Sequence, residues 1–346
     1  MKHWTFTSYT NAWSLRQGLK LLNIELYSHS PKTIFVKHTS ILPEENDVLF
    51  FTEEASLLKY FNEKTKYHFL PNDIKVDLID DKLNFAHFLE TINEIPVPYS
   101  NFDRHKVSFP IFIKARHSWL HEKKLPRGFV CKNESEFQEI LTKIEAGNLK
   151  NDCFFFQKLL LFPDVNNYSV SGFFDYANAD KNVTIITSRV KSADLSFSST
   201  ASLVKTIPDP DNLKIRSHNI LSKLNYSGPF ELEFFFDTDE NKYYVLELNP
   251  RFWLQHGIFV KYFDNIVLKN YLNYSPNPTK FSTEEIDSRK VLWVDTSSLF
   301  NPFFSQHTFN VLKEIFKHFL KRYKILFAPA FSTYFKYYWS LKILNK

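Results

Sequence analysis

The chain has 346 residues, enough for two or three subdomains with a sizeable hydrophobic core. Apolar residues make up 44% of it and charged residues 23%, as in an ordinary globular protein. A net charge of +5 does not by itself argue for nucleic-acid binding, and no apolar run is long enough to span a bilayer. Cys131 and Cys153 lack the spacing of a metal or redox site, and no signal peptide begins the sequence. We therefore expect a cytoplasmic protein with reduced thiols.

Residues 1–80 alternate short apolar segments with helical patterns. HWTFTSY, TIFVKH and DVLFFT predict strands, and helices are expected around Ala12–Leu22 and Glu54–Phe61. This alternation predicts a small parallel sheet covered by helices. No G-x-G-x-x-G follows the first strand, which argues against a dinucleotide site.

The middle of the chain begins with Asp80-Asp81-Lys82 and a predicted helix over Leu83–Asn93, which the prolines of IPVPYS must end. FPIFIKARH predicts a buried strand containing Lys114, and a lysine there needs an anion or a carboxylate beside it. Asn133 or Ser135 is expected to cap the next helix.

Three further segments, DCFFFQK, NYSVSGFFDY and NVTIITSRVKS, predict strands, whereas SFSSTASLVKT is interpreted as a polar loop. A helix is expected up to Leu224, and another from about Gly257 to Tyr271.

A β-hairpin is predicted between these two helices, with strands Phe230–Asp237 and Tyr243–Leu248. Its polar residues are carboxylates at alternate positions, which share one face of a strand. If the turn pairs the strands, Glu233 and Glu247 lie side by side and repel each other unless a cation lies between them. Asn249 points the same way as Glu247, and Arg251 follows. Two carboxylates and an amide oxygen suit a hard cation such as Mg²⁺. For any single glutamate, a solvent-facing charge on an edge hairpin is the simpler interpretation.

The pattern E-(x13)-E-x-N-x-R resembles the metal-binding hairpin of the ATP-grasp ligases, whose second strand commonly ends in Glu-x-Asn-x-Arg. The earlier D-K-helix-I-P-V-P segment and the P-x-x-x-K strand match in the family's order. The chain is therefore identified as an ATP-grasp superfamily ligase of the carboxylate–amine type, similar in its ATP-binding fold to D-aspartate ligases and carbamoyl-phosphate synthases. The resemblance implies an α/β (α+β) fold. It comprises a small parallel N-terminal α/β domain, two α+β subdomains that sandwich ATP, and a helical C-terminal extension.

The same resemblance implies the nucleotide contacts and the domain boundaries. Lys82 and Lys114 would bind phosphates, and the adenine site would be formed by Gln157, Lys158 and Leu160. We expect a pre-ATP-grasp domain over 1–80, an ATP-grasp domain over 81–274 (subdomains 81–156 and 157–274), and a linker and extension over 275–346. Many members have a glycine-rich closing loop where this chain has RHSWLHEKKLPRG, with one glycine and several cations.

The resemblance also implies the metal ligands and the reaction. Glu233, Glu247 and Asn249 would hold Mg²⁺, with Mn²⁺ as the alternative ion and Glu231 as a neighbour. Arg251 and Arg189 would stabilise the transferred phosphoryl group. ATP would convert a carboxylate into an acyl phosphate, which an amine then attacks, so the expected partners are small molecules and not nucleic acid. The glycine-poor loop keeps open the alternative of a catalytically inactive nucleotide-binding scaffold.

The C-terminal region carries an apolar stripe at helical spacing, formed by Phe309, Leu312, Ile315, Phe316, Phe319, Leu320 and Tyr323. Residues 301–346 contain eight Lys/Arg against one acid, Glu314. Because amphipathic helices mostly bury their stripe, we expect this helix to pack on the body of the protein. Weak contact of residues 309–346 with an anionic membrane surface is the alternative, and a homodimer is also left open.

Overall fold

By its internal contacts, the chain divides into two compact units. Unit 1 consists of Met1–Ile74, Asp164–Leu232 and Asn249–Lys346, and unit 2 of Lys75–Pro163 and Glu233–Leu248. The computed structural model describes residues 1–6, 9–29, 36–71, 76–103, 107–117, 119–120, 123–124, 126, 128–147, 149–160, 166–192, 201–272, 289–299 and 306–330. The domain boundaries expected from the sequence, with domains over 1–80 and 81–274 and a linker and extension over 275–346, stay a prediction.

A four-stranded parallel sheet forms the N-terminal part of unit 1, as predicted. Its order is β3-β2-β1-β4, and its strands are β1 (His3–Thr5), β2 (Leu26–Ser28), β3 (Lys37–His38) and β4 (Val48–Phe50). Helices α1 (Tyr9–Leu21) and α2 (Glu54–Phe61) follow β1 and β4. Trp4, Leu49 and Leu57 are buried in one of its cores, so burial of strand and helix faces together stabilises this sheet. Strand β2 was not predicted, because its segment NIELYSHS lacks a continuous apolar run such as the one in DVLFFT.

Unit 2 is built on a four-stranded antiparallel sheet of order β5-β10-β6-β9. The strands are β5 (Tyr99–Asn101), β6 (Ile111–Ala115), β9 (Gly128–Cys131) and β10 (Phe154–Lys158), with a small hairpin of β7 (Trp119–Leu120) and β8 (Lys123–Lys124). The helices are α3 (Val76–Asp80), α4 (Lys82–Thr91) and α5 (Glu134–Ala146), the last capped by Asn133 as expected. Ile111, Ile113 and Ala115 pack in the core with α5, so the alternation along β6 places Lys114 on the opposite face.

A seven-stranded sheet of order β15-β14-β11-β12-β13-β16-β17 is the largest in the chain's described part. Its strands are β11 (Asn167–Asp175), β12 (Val183–Ser192), β13 (Ala201–Ile207), β14 (Ser227–Asp237), β15 (Lys242–Asn249), β16 (Val291–Asp295) and β17 (Lys324–Ala328). Helix α6 (Leu213–Lys223) precedes β14. The polar-loop interpretation is wrong for Ala201–Thr206, since β13 pairs with β12 and β16, and residues 193–200 lie outside the described part.

The helix expected over Gly257–Tyr271 is two helices, α7 (Gly257–Tyr262) and α8 (Ile266–Leu272). Asp264 and Asn265 between them have φ of 50° and 57°, which an α-helix does not accommodate. The Asn265 side chain donates to the Gly18 carbonyl of α1 at 2.8 Å, so the break positions a tertiary hydrogen bond.

Helix α9 (Gln306–Leu320) contradicts the expectation that the C-terminal stripe is buried. Val311 is fully buried, and Ile315 and Tyr323 pack against the same core as β13 and β16. The other five stripe residues are exposed: Phe309, Leu312, Phe316, Phe319 and Leu320. Strand β17 follows and pairs in parallel with β16, so this region is not wholly helical. In the described part of the chain, none of the helices has the length and apolar character needed to cross a membrane.

The close pairing of β11 and β12 yields a stability prediction. A Cβ added at Gly172 would lie 1.9 Å from the Val183 carbonyl oxygen, and backbone on a paired strand cannot move aside cheaply. We expect Gly172→Ala to lower the free energy of unfolding by about 1–3 kcal/mol. Gly147→Ala, where the closest contacts are 3.3–3.6 Å, is the matched control and should cost little. Urea titration of both variants checks this, and equal midpoints would contradict it.

Candidate active site

The β14–β15 hairpin shows the alternation that the sequence predicts. Phe230, Leu232 and Phe234 are fully buried, whereas Glu231 and Glu233 between them are half-buried. Alternate residues share a face, so the two glutamates of β14 point the same way. On β15, Glu247 is half-buried.

In unit 1, Asn249 links a carboxylate to the predicted arginine. Its Nδ2 donates to Glu231 Oε2 at 3.4 Å, and its Oδ1 accepts from Arg251 Nη2 at 3.0 Å. Asn249 is buried, and the Arg251 main-chain N–H donates to its carbonyl at 2.9 Å. The Arg251 Nε is buried and has no hydrogen-bond partner among the described residues, which leaves a donor for an incoming oxygen.

In unit 2, four predicted site residues share one electrostatic environment around Lys114. Burial of the Lys114 amine lowers its pKa, while the carboxylates of Glu247 and Glu233 act in the opposite direction. Lys82 lowers the pKa of Lys114 as a neighbouring cation. The half-buried amine therefore has two acids near it, as a lysine in an apolar strand requires, and a second cation beside it.

Lys82 is held in place by a network that the sequence did not reveal. It is the first residue of α4, and the Asp81 side chain caps this helix by accepting from the N–H groups of Leu83 at 3.0 Å and Asn84 at 3.2 Å. Arg116 donates through Nε to both Asp81 oxygens at 3.1 Å, and the Lys82 N–H donates to the Arg116 carbonyl at 2.9 Å.

This network also sets the charge of Asp81. Burial raises the pKa of Asp81, but hydrogen bonds from Arg116 and from the Asn84 N–H bring it below its ordinary value. Arg116, one of the cations of the expected closing loop, is thus engaged with a buried carboxylate. Arg127 of that loop lies outside the described residues.

The residues predicted for adenine lie at the end of β10 and just beyond it. Gln157 is buried, and Leu160 packs with Val97 and Phe235 in a small core. The Lys158 amine donates to Asp237 Oδ2 at 2.8 Å and also contacts Glu240, and these carboxylates raise its pKa. Its side chain is therefore already occupied by the hairpin turn.

Arg189 lies on β12 opposite Val204 and is half-buried. The register of β12 against β13 shifts between Arg189 and Lys191, an irregularity of the kind that re-aims side chains. Arg189 belongs to unit 1 together with Asn249 and Arg251, whereas the lysines and Glu233 and Glu247 belong to unit 2.

A metal at this hairpin would depend on few protein oxygens. Among the described residues there is no cluster of three or more His, Cys, Asp or Glu side chains that could hold an ion. Glu233 and Glu247, both in unit 2, are the carboxylates predicted to hold Mg²⁺, which is commonly bound by one or two carboxylates plus phosphate oxygens and water.

Comparisons with known proteins test the fold. The family model described as "Carbamoyl-phosphate synthase L chain, ATP binding domain" matches residues 189–261, about a fifth of the chain. A variant of Rhizobium etli pyruvate carboxylase with acetyl coenzyme-A aligns with a TM-score of 0.59 and 14% identity, over 84% of this chain and only 30% of that one.

Two other solved structures align over most of both chains. The biotin carboxylase domain dimer of Hydrogenobacter thermophilus 2-oxoglutarate carboxylase, in complex with MgADP, ADP and bicarbonate, gives a TM-score of 0.59 and 12% identity, over 84% of this chain and 73% of that one. L-amino acid ligase from Bacillus licheniformis gives 0.54 and 14%, over 79% and 74%. No curated protein sequence matches. The predicted fold class is confirmed: this chain has the ATP-grasp fold.

The pair formed by His117 and Asp80 beside this network yields a pH prediction. His117 Nδ1 lies 2.8 Å from Asp80 Oδ2, and this hydrogen bond raises the pKa of His117 despite its partial burial. Because the folded pKa is raised, the stabilisation is fully present below the ordinary histidine pKa and is lost as the pH rises through the folded value. We expect the free energy of unfolding to fall between about pH 5.5 and about pH 8.5 more in the wild type than in His117→Gln.

Urea titrations at the two pH values measure this difference. His29→Gln, at an exposed position, is the control and should keep the wild-type pH dependence. An unchanged pH dependence in His117→Gln would show that the pair does not couple protonation to folding.

Proposed function

We propose that the protein is an ATP-dependent ligase that activates a carboxylate as an acyl phosphate and joins it to an amine. One observation carries the proposal: Lys114 and Lys82 share their environment with Glu233 and Glu247 within unit 2. Phosphoryl transfer from a magnesium nucleotide needs cations that bind the phosphates and, beside them, carboxylates that bind the divalent ion.

The reaction assigns a role to each residue. Lys82 and Lys114 bind the triphosphate, and Asp81 with Arg116 orients Lys82 through the helix that it begins. Glu233, Glu247 and Asn249 hold Mg²⁺, or Mn²⁺, which when bound neutralises charge on the phosphoryl oxygens. The Arg251 guanidinium, whose Nε has a donor to spare, and Arg189 stabilise the transferred group and the tetrahedral intermediate.

The nucleotide base is proposed to lie beside Gln157, Lys158 and Leu160. Gln157 offers an amide that can accept from an exocyclic amine, and Leu160 offers apolar surface. The Lys158 side chain is bound to Asp237 and Glu240, so any contribution of Lys158 comes from its main chain.

The named relatives support a small-molecule substrate and a magnesium nucleotide. One is an L-amino acid ligase, and another was crystallised with MgADP and bicarbonate. We therefore propose an amino acid or a peptide-like molecule as acceptor, and ATP with Mg²⁺ as cofactors.

The test is ADP and phosphate release from MgATP with a panel of amino acids and other acid and amine pairs. We expect release that requires both an acid and an amine. ATP binding that depends on magnesium but yields no turnover across the panel would favour the inactive scaffold instead.

Glu247→Gln tests the metal-binding carboxylate. The change keeps the size of the side chain but removes its charge, so we expect kcat to fall by about 10²–10³-fold while the melting temperature stays close to that of the wild type. Glu139→Gln, on the exposed side of α5, is the matched control and should keep full activity. Undiminished turnover in Glu247→Gln would place the metal elsewhere.

Lys114→Met tests the phosphate contact. Methionine fills the aliphatic part of the lysine volume, so we expect the fold to persist. The Kd for MgATP should rise about 10–100-fold, because one charged hydrogen bond to the nucleotide is lost. The measurement is the shift in melting temperature on adding MgATP. Lys143→Met, at an exposed lysine of α5, should show the wild-type shift. A wild-type shift in Lys114→Met as well would remove Lys114 from the nucleotide site.

A further inference from the structure

Helix α9 has an exposed apolar face that the proposed reaction does not use. Five large apolar side chains form this outer stripe, each 51–65% exposed: Phe309, Leu312, Phe316, Phe319 and Leu320. They recur every three to four residues along 15 residues, so they form one continuous strip of helix surface.

The opposite face attaches the helix to unit 1. Val311 is fully buried, His318 is buried, and Ile315 packs with the core that contains Leu203 and Leu292. Because residues i, i+4 and i+7 lie on the same side of a helix, burial of these three turns the outer stripe away from the core. The exposure of the stripe therefore follows from how the helix is anchored.

A row of cations borders the stripe on one side. Lys313, Lys317 and Lys321 are spaced four residues apart and are exposed, and Arg322 follows the helix. Glu314 is the one acid of this helix, and its carboxylate lies 3.3 Å from Lys317 and 3.6 Å from His318. The net charge along this side of α9 is therefore positive.

The positive charge extends onto the adjoining sheet. Lys205 of β13 is half-buried. Burial lowers the pKa of Lys205, and the charges of Lys321 and Lys317 lower it further. The three amines thus act on one another, with Glu314 acting in the opposite direction, and the positive potential is concentrated along the lysine row.

We propose that α9 lies in the surface of an anionic phospholipid membrane, with the outer stripe among the acyl chains and the lysine row against the phosphate headgroups. Helices with an aromatic and aliphatic face beside Lys and Arg bind membranes in this orientation, parallel to the surface. Each cation close to an anionic bilayer adds attraction. This goes beyond the proposed reaction, because it concerns where the protein is held and not what the site converts.

Charge complementarity favours a lipid surface over two protein occupants. Residues 331–346 of this chain, FSTYFKYYWSLKILNK, contain three lysines and no acid, so they offer the lysine row no opposite charge. In a two-fold antiparallel pairing with a second copy, the two lysine rows would lie on the same side and repel. Anionic headgroups balance the row while the acyl region covers the stripe.

The first test is co-sedimentation of the full chain with phosphatidylcholine vesicles and with vesicles that also contain phosphatidylglycerol. We expect binding only to the second kind. Raising the salt from about 0.1 M to about 1 M shortens the Debye length from about 10 Å to about 3 Å and should weaken this binding. Absence of binding to the phosphatidylglycerol vesicles overturns the proposal.

Two variants separate the apolar and the electrostatic contributions. Phe316→Ser with Phe319→Ser should weaken vesicle binding at least about tenfold, because two aromatic side chains no longer leave water. Lys317→Gln with Lys321→Gln should weaken it about tenfold or more. The matched controls on α6 are Ile215→Ser, where the side chain is 65% exposed, and Lys223→Gln, and both should bind as the wild type does. Undiminished binding in either double variant overturns the proposal.

A dye attached at position 316 reports the contact directly. Both natural cysteines are buried, so Phe316→Cys can be labelled selectively with an environment-sensitive fluorophore. We expect a blue shift on adding phosphatidylglycerol vesicles and none for the same dye at Ile215→Cys. Equal spectra at the two positions overturn the proposal. A dimer would also overturn the proposal if the wild type forms it, the double phenylalanine variant dissociates it, and vesicle binding is unchanged. A second copy of the chain would then cover the stripe.

Discussion

The candidate site depends on one constraint, the need of the half-buried Lys114 for opposite charge. An amine on a strand whose alternate residues form a core cannot reach bulk water freely, so its charge must be balanced by nearby groups. Those groups, Glu233 and Glu247, come from a hairpin far along the chain, and each would be costly without a cation. The strand and the hairpin therefore stabilise each other within unit 2, and the proposed phosphate and metal contacts use the same charged side chains.

Lys82 is positioned by the capping of helix α4. A helix needs acceptors for its first N–H groups, and Asp81 supplies one while Arg116 balances its charge. The direction of the first side chain of α4 is thus fixed by backbone requirements and not by flexible surface contacts. In unit 1, Asn249 plays a similar part by hydrogen bonding both Glu231 and Arg251. Preorganised donors of this kind are what electrostatic catalysis requires.

Sequence periodicity predicted the elements whose own residues determine them. Helix α2 and the alternation of Phe and Glu in β14 are examples, because each pattern repeats often enough to be recognised. The parts that were missed depend on distant partners. Strand β13 directly follows the polar run SFSST in the sequence but pairs on both sides. The Arg116–Asp81 and Lys158–Asp237 pairs join residues that no spacing rule connects. Position along the chain could suggest Lys158 as a nucleotide contact, but it could not show that the hairpin turn already binds its amine.

The exposure of the outer stripe of α9 is another feature that sequence periodicity did not predict. The apolar stripe is evident in the sequence, and the usual rule would bury it. The rule fails because a small inner face, with Val311 at its centre, is enough to anchor the helix on the core of β13 and β16. Exposed lysines are well hydrated, whereas exposing a contiguous row of phenylalanine and leucine to water costs free energy. The stripe is therefore the feature that calls for a partner, and the adjacent cations determine the charge that this partner must have.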